Sequence, residues 1–60
     1  MNKIVKILME RDGMTEEEAR SLVKETRDEI IMLENPLEAD DILMEYLGLE
    51  PDYMFDILNF

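Results

Sequence analysis

The sequence predicts an all-α protein, a small bundle of three to four helices that forms a single domain over residues 1–60. In successive segments, apolar residues recur at the three-to-four-residue spacing of an amphipathic helix. Residues that cap helix starts precede the segments, and both glycines and both prolines fall at segment boundaries. The helices are therefore expected at about residues 2–12, 15–34, 37–47 and 51–58.

The first helix is bounded by Asn2 and Gly13. An asparagine at a helix start accepts a hydrogen bond from a free amide of the first turn, and a glycine readily closes the helix in the left-handed conformation. Met14 precedes the next helix, where it can pack against Ala19. Because the turn between them is short, the first two helices are expected to lie side by side. The apolar face of the first helix comprises Ile4, Val5, Ile7, Leu8 and Met9.

The second helix is the longest and is expected to organise the bundle. It begins with Thr15 and three glutamates, of which Glu18 is placed to complete a capping box with Thr15. The carboxylates also lie at the positive end of the helix dipole. Because the residue before a proline is disfavoured in the α conformation, the helix is expected to end at Glu34, before Asn35-Pro36. Its apolar stripe comprises Ala19, Leu22, Val23, Thr26, Ile30 and Leu33.

The third and fourth helices differ in how much of their surface is apolar. The third has one apolar side and is closed by Gly48, whereas the fourth starts at Pro51 and is apolar around most of its circumference. A helix of the latter kind is normally buried on several sides. Either the first three helices surround it, or part of it docks onto another chain. The apolar side of the third helix comprises Ala39, Ile42, Leu43, Tyr46 and Leu47.

The chain is short for a domain that is stable without a partner. A domain of this size buries only about 60% of the surface that its unfolded chain exposes. It contains no cysteine for disulfides or structural zinc. Oligomerisation is one of the remaining supports of such small domains. We therefore expect a homodimer or higher oligomer, with the dimer favoured and the carboxy-terminal segment in the interface.

The charge is strongly negative and unevenly distributed. The net charge is −10, and residues 36–60 carry seven acids and no base. Direct nucleic-acid binding needs a basic face and is not expected. An acidic half instead suits a basic protein surface. The amino-terminal residues lack the apolar run of a membrane span or secretory signal, so we expect a cytoplasmic protein without membrane contact.

Few residues of the chain are suited to catalysis. Histidine and cysteine are absent, and the single serine, Ser21, has no base to activate it. We therefore expect no catalytic residue, cofactor or metal site. The acid pairs Glu25-x-x-Asp28 and Glu38-x-x-Asp41 resemble those that hold magnesium in all-helical nucleotide pyrophosphohydrolases. Since one helix brings few oxygens together, a solvated acidic face is the simpler interpretation of both pairs.

Two runs of sequence carry a resemblance to known proteins. DGMTEEEAR at residues 12–20 and LGLEPDYMFDIL at residues 47–58 resemble small acidic proteins of phages and mobile elements in Gram-positive bacteria. The resemblance implies an accessory protein, and some members of that class inhibit host defence systems by binding them. Residues 4–19 are also similar to the ubiquitin-associated type of three-helix domain, but Asp12-Gly13-Met14 replaces its aromatic-containing loop.

The main functional hypothesis is a non-enzymatic protein-binding module that inhibits or modulates a host protein, in one version by acidic mimicry of nucleic acid. The alternatives are a metal-dependent nucleotide pyrophosphohydrolase-like oligomer that uses the Glu-x-x-Asp pairs, and a purely structural self-associating protein. In the main hypothesis, aromatic and apolar side chains anchor the partner and acids steer it. The candidate anchors are Tyr46, Tyr53, Met54, Phe55 and Phe60, and the candidate steering acids are Asp40, Asp41, Glu45 and Asp52.

Overall fold

A computed structural model describes residues 2–60, which form four α-helices and no β-strand. The helices are α1 (Lys3–Asp12), α2 (Glu16–Ile31), α3 (Ala39–Leu47) and α4 (Met54–Leu58). Single-turn 3-10 helices at Pro36–Glu38 and Pro51–Tyr53 lead directly into α3 and α4. The prediction of a small all-α bundle is therefore confirmed.

The predicted caps of α1 and α2 are present. The Oδ1 atom of Asn2 accepts a hydrogen bond from the amide of Ile4 at 2.8 Å. At the start of α2, the Thr15 hydroxyl accepts from the Glu18 amide at 3.1 Å, and the Glu18 carboxylate accepts from the Thr15 amide at 2.9 Å. The capping box thus satisfies two amides at the start of α2, including one that the helix itself leaves without a partner.

Two glycines end α1 and α3 in the left-handed conformation. Gly13 has a φ of 69° and Gly48 a φ of 65°. Their amides donate to carbonyls of the preceding turn, those of Leu8 and Met44 respectively. Residues with a Cβ atom rarely adopt this conformation, which explains glycine at both positions. After Gly13 the chain needs only Met14 and Thr15 before α2 begins, so α2 folds back alongside α1.

The second helix ends earlier than the sequence predicts. It stops at Ile31, three residues before the expected Glu34. The Leu33 amide then bonds to the Ile30 carbonyl at 3.2 Å, a tighter turn than the α-helix. Asn35-Pro36 does not end α2 but starts the next element: the Asn35 side chain accepts from the Leu37 amide at 3.0 Å, and Pro36 takes the first helical position.

The hydrophobic core is organised around α2, which packs against α1, α3 and α4. The predicted apolar faces provide most of this core. Thr26 is also fully buried, and its hydroxyl donates to the Leu22 carbonyl at 2.8 Å, so its polar atom is satisfied. The buried apolar residues are Ile4, Val5, Leu8, Ala19, Val23, Ile30, Ala39, Leu43, Leu47, Leu49 and Ile57.

Two polar side chains connect helix ends that are far apart in sequence. Arg11, in the last turn of α1, donates to the carbonyls of Leu47 at 2.6 Å and Gly48 at 3.3 Å. Asn2 donates through Nδ2 to the carbonyl of Asp56 in α4 at 2.9 Å. Carbonyls at the end of a helix have no intrahelical donor, so side chains can satisfy them. The carboxy-terminal ends of α1 and α3 therefore lie together, and α4 lies against the start of α1.

One side of α4 is covered and the other is exposed. Ile57 is fully buried, while Phe55 is 80% exposed. The Lys3 ammonium lies 5.9 Å from the centre of the Tyr53 ring just before α4, close enough for a cation–π attraction. The sequence left open whether the other helices surround this segment. The structure shows that α1 and α2 pack against one side of it.

Candidate protein-binding surface

Large apolar side chains are exposed at several positions on the surface. Leu37 is 83% exposed, Phe55 80% and Met32 79%. Single exposed apolar residues are common, but groups of them mark interaction surfaces. The other large apolar side chains that are exposed are Ile31, Met44, Tyr46 and Leu58. Within residues 2–60 no helix is both long and apolar enough to cross a bilayer.

These seven side chains belong to two parts of the fold, the region from the end of α2 through α3, which includes Tyr46, and α4. Ile31, Met32 and Leu37 flank the connection between α2 and α3, and Met44 lies farther along α3. Phe55 and Leu58 lie on α4, three residues apart and therefore on the same side of that helix. The exposed apolar side chains therefore form two groups, one around the α2–α3 connection and one on the uncovered side of α4.

The stretch of chain that carries these side chains is acidic. Residues 28–60 contain ten acids and no lysine or arginine, and all six bases lie within residues 3–27. Within residues 2–60, every large apolar side chain that is strongly exposed falls in the base-free stretch. A binding surface here therefore combines apolar contact with negative charge.

The structure separates the five candidate anchors into two sets. Tyr53, Met54 and Phe60 are half-buried and pack against the core of their own chain. The Arg20 guanidinium lies 5.4 Å from the centre of the Phe60 ring. Only Phe55, at 80%, and Tyr46, at 43%, expose enough surface to anchor a partner without rearrangement. Tyr46 lies on the side of α3 that the sequence predicts to be apolar, but the other helices leave it partly exposed.

All four candidate steering acids are exposed. Asp40 and Asp41 lie in the first turn of α3, where the helix dipole also favours carboxylates. Glu45 follows Asp41 by one turn on the same face of the helix. Asp52 lies in the 3-10 helix before α4. None of the four forms an ion pair with a residue in the range 2–60, so each is available to a basic group of a partner.

Sequence reasoning did not place Ile31, Leu37 and Leu58 on the candidate surface. Met32 and Met44 have unbranched side chains that can either fill a core or form an adaptable contact, so their residue type alone does not predict exposure. One signal could have identified Ile31 and Leu37: both are apolar but fall outside the helical stripes that form the core. An apolar residue outside the stripe of its own helix needs a second partner or remains exposed.

Two carboxyl groups have lowered pKa values for structural reasons. Hydrogen bonding to the Thr15 amide, with a further contribution from the Thr15 hydroxyl, lowers the pKa of Glu18. Hydrogen bonds from the Arg11 guanidinium, both 2.9 Å long, lower the pKa of Asp12, and the same contact raises the pKa of Arg11. Both interactions hold the carboxylates ionised, which is the opposite of what a general acid near neutral pH requires.

The Glu-x-x-Asp pairs are exposed on α2 and at the junction of the first 3-10 helix with α3. Within the described part of the chain, no group of three or more metal-ligating side chains comes together. A shallow depression of about 440 Å³ lies on the outer side of α2. It presents carboxylates and the Ser21 hydroxyl. Its lining residues are Thr15, Glu17, Glu18, Ser21, Leu22 and Glu25.

Comparisons of the chain with protein-family models, with curated proteins and with solved structures gave no match.

Proposed function

We propose that this protein is a non-enzymatic binding module that attaches to a basic and apolar surface of a protein partner. The observation that carries the proposal is the position of the large exposed apolar side chains, which among the described residues all lie in the stretch that has ten acids and no base. Burial of those side chains would supply affinity. The carboxylates would accelerate association with cationic partners and disfavour acidic ones.

The proposed setting is the cytoplasm of a bacterial host, where the protein acts as an accessory factor of a phage or mobile element. Support for this setting is the resemblance carried by residues 12–20 and 47–58. The module would inhibit or modulate a host protein, such as a defence factor, by covering a functional surface. If that surface normally binds nucleic acid, exposed carboxylates such as Asp41 and Glu45 would occupy positions that phosphates otherwise take.

Affinity capture from a Gram-positive host lysate tests the proposal. The bait is the full chain, compared with a variant that loses one exposed side chain from each apolar group, Leu37→Ser with Phe55→Ser. Ser21→Ala, on the exposed side of α2, is the matched control. A discrete partner should be recovered by the wild type and the control, more strongly at low salt, and lost with the double variant. Recovery of no partner at either salt concentration would contradict the proposal.

A homodimer is a second part of the proposal, and the outer side of α4 is the surface best suited to it. Phe60 is largely committed to contacts within its own chain, so Phe55 and Leu58 are the apolar groups available to a second copy. Because two copies with a charge of −10 repel each other, association should strengthen as salt rises from low values. Light scattering across a dilution series would refute the dimer if it gave a mass of 7.1 kDa at every concentration and salt.

A further inference from the structure

The outward side of α3 and of the 3-10 helix before it has a distinct composition. Three exposed residues follow Leu37 at helical spacing: Asp40 after three residues, Asp41 after four and Met44 after seven. Side chains at these spacings share one side of a helix. All four are exposed, whereas Leu43 on the same helix is fully buried. We call these four residues the α3 outer face. It has an apolar side chain at each end and two carboxylates between them.

From this arrangement we infer that the α3 outer face binds a cationic amphipathic helix of the partner. The inference rests on the proposed function and specifies which of the two apolar groups is used and what chemistry it recognises. The choice of occupant follows from charge: Asp40 and Asp41 have no basic partner in the described chain, and residues 28–60 supply no lysine or arginine. A second copy would bring carboxylates against carboxylates across the seam.

The spacing of the apolar ends determines the form of the ligand. Leu37 and Met44 are seven residues apart, which corresponds to about 10 Å along a helix axis. A partner helix with apolar residues at i, i+3 or i+4, and i+7 repeats over the same length. Lysine or arginine residues beside that stripe would meet Asp40 and Asp41. Met44 adds an unbranched, adaptable side chain that tolerates small differences in ligand shape.

The probes for a test are three synthetic peptides of about 18 residues, labelled with a fluorophore. The first carries leucines in a helical stripe with lysines elsewhere. The second has the same composition in an order that destroys the stripe, and the third replaces every lysine with glutamate. Anisotropy titrations of the full-length protein should show the first peptide binding at least about tenfold more tightly than either of the others, because only it supplies both the apolar stripe and the cations.

Matched variants of the protein locate the site. Leu37→Ser with Met44→Ser removes the apolar ends of the α3 outer face, whereas Phe55→Ser with Leu58→Ser removes the same number of exposed apolar groups from α4. The first pair should weaken binding of the first peptide at least about tenfold and the second pair less than about threefold. Asp40→Asn with Asp41→Asn should also weaken binding and reduce its dependence on salt. Circular dichroism should show unchanged helix content for each variant.

Several results would overturn the inference. Equal effects of the two apolar pairs would show that the α3 outer face is not the specific site. Equal binding of the ordered and scrambled peptides would reduce the interaction to non-specific charge attraction, and no binding of the first peptide would exclude this ligand class. If the protein self-associated and Leu37→Ser with Met44→Ser abolished that association, the occupant would be a second copy. None of these results prevents recovery of a partner from lysate, so failure here is distinguishable from failure of the proposed function, which recovery of no partner would show.

Discussion

The docking of α4 is the feature of the fold that substitution tests most sharply. Only one residue of this five-residue helix, Ile57, is fully buried, and Phe55, two positions earlier, is 80% exposed. The two side chains therefore provide a matched pair on one short helix. Shortening Ile57 in two steps, to valine and then to alanine, should lower the free energy of unfolding progressively, and Phe55→Ala should leave it nearly unchanged.

The magnitudes follow from burial. Ile→Val in a packed core costs about 0.5–1.5 kcal/mol, and Ile→Ala about 2–5 kcal/mol because a cavity remains. Natural domains have about 0.05–0.15 kcal/mol of stability per residue, so a chain of 60 residues has about 3–9 kcal/mol in total. Ile57→Ala should therefore remove a large fraction of the stability. A substitution at an exposed position such as Phe55 should stay within about 0.5 kcal/mol.

Urea denaturation followed by circular dichroism at 222 nm measures these free energies, and amide hydrogen exchange reports on α4 separately. The expected order of destabilisation is Ile57→Ala, then Ile57→Val, then Phe55→Ala. If Phe55→Ala were as destabilising as Ile57→Ala, α4 would have to pack through its other side. If Ile57→Ala increased exchange in α4 but left global unfolding unchanged, α4 would not be part of the cooperative core, and the reasoning would also fail.

Three further predictions concern the contacts that join helix ends. Asn2→Ala should lower the free energy of unfolding by about 2 kcal/mol in urea titrations, whereas Asn2→Ser, which keeps the cap but loses the bond to α4, should cost about 1 kcal/mol; equal losses would contradict the two-contact role. Arg11→Met should cost at most about 1 kcal/mol because the contact is partly exposed, and Arg11→Lys should recover part of it. The lowered pKa of Glu18 stabilises the fold above the unfolded-state pKa, and this contribution is lost as pH falls through the folded-state pKa. Unfolding titrations from pH 7 to strong acid should therefore show the wild type more stable than Glu18→Gln at neutral pH, with the difference disappearing in acid; a constant difference would contradict the assignment.

Local interactions explain which parts of the fold the sequence could predict. The capping box of Thr15 and Glu18 joins residues three apart, and the closing conformation of Gly13 depends only on its neighbours. Such features are encoded in short runs of sequence. The early end of α2 was missed because Asn35-Pro36 is compatible both with the end of one helix and with the start of the next. Choosing between these roles requires knowing where α3 must lie.

The candidate surface was only partly predictable because exposure depends on packing between helices. Phe55 and Phe60 are both aromatic residues of the last segment, yet one projects away from the core and the other packs against it. The contact of Arg11 with Leu47 joins positions 36 residues apart, which no local pattern reveals. Leu37 became a candidate only once the structure showed that no other element covers it.

The combination of exposed apolar groups and unbalanced acids has a physical consequence for specificity. An apolar surface alone would associate with any other apolar surface, including that of a second copy. Carboxylates beside it add repulsion between copies and attraction toward cationic partners, so the same charges select against one class of complex and for another. Salt screens both effects, so raising it should weaken binding to a basic partner and strengthen self-association. One acidic stretch, residues 28–60, carries the exposed apolar side chains of both the α2–α3 connection and α4. Its charge therefore acts on both the complex with a basic partner and the complex with a second copy.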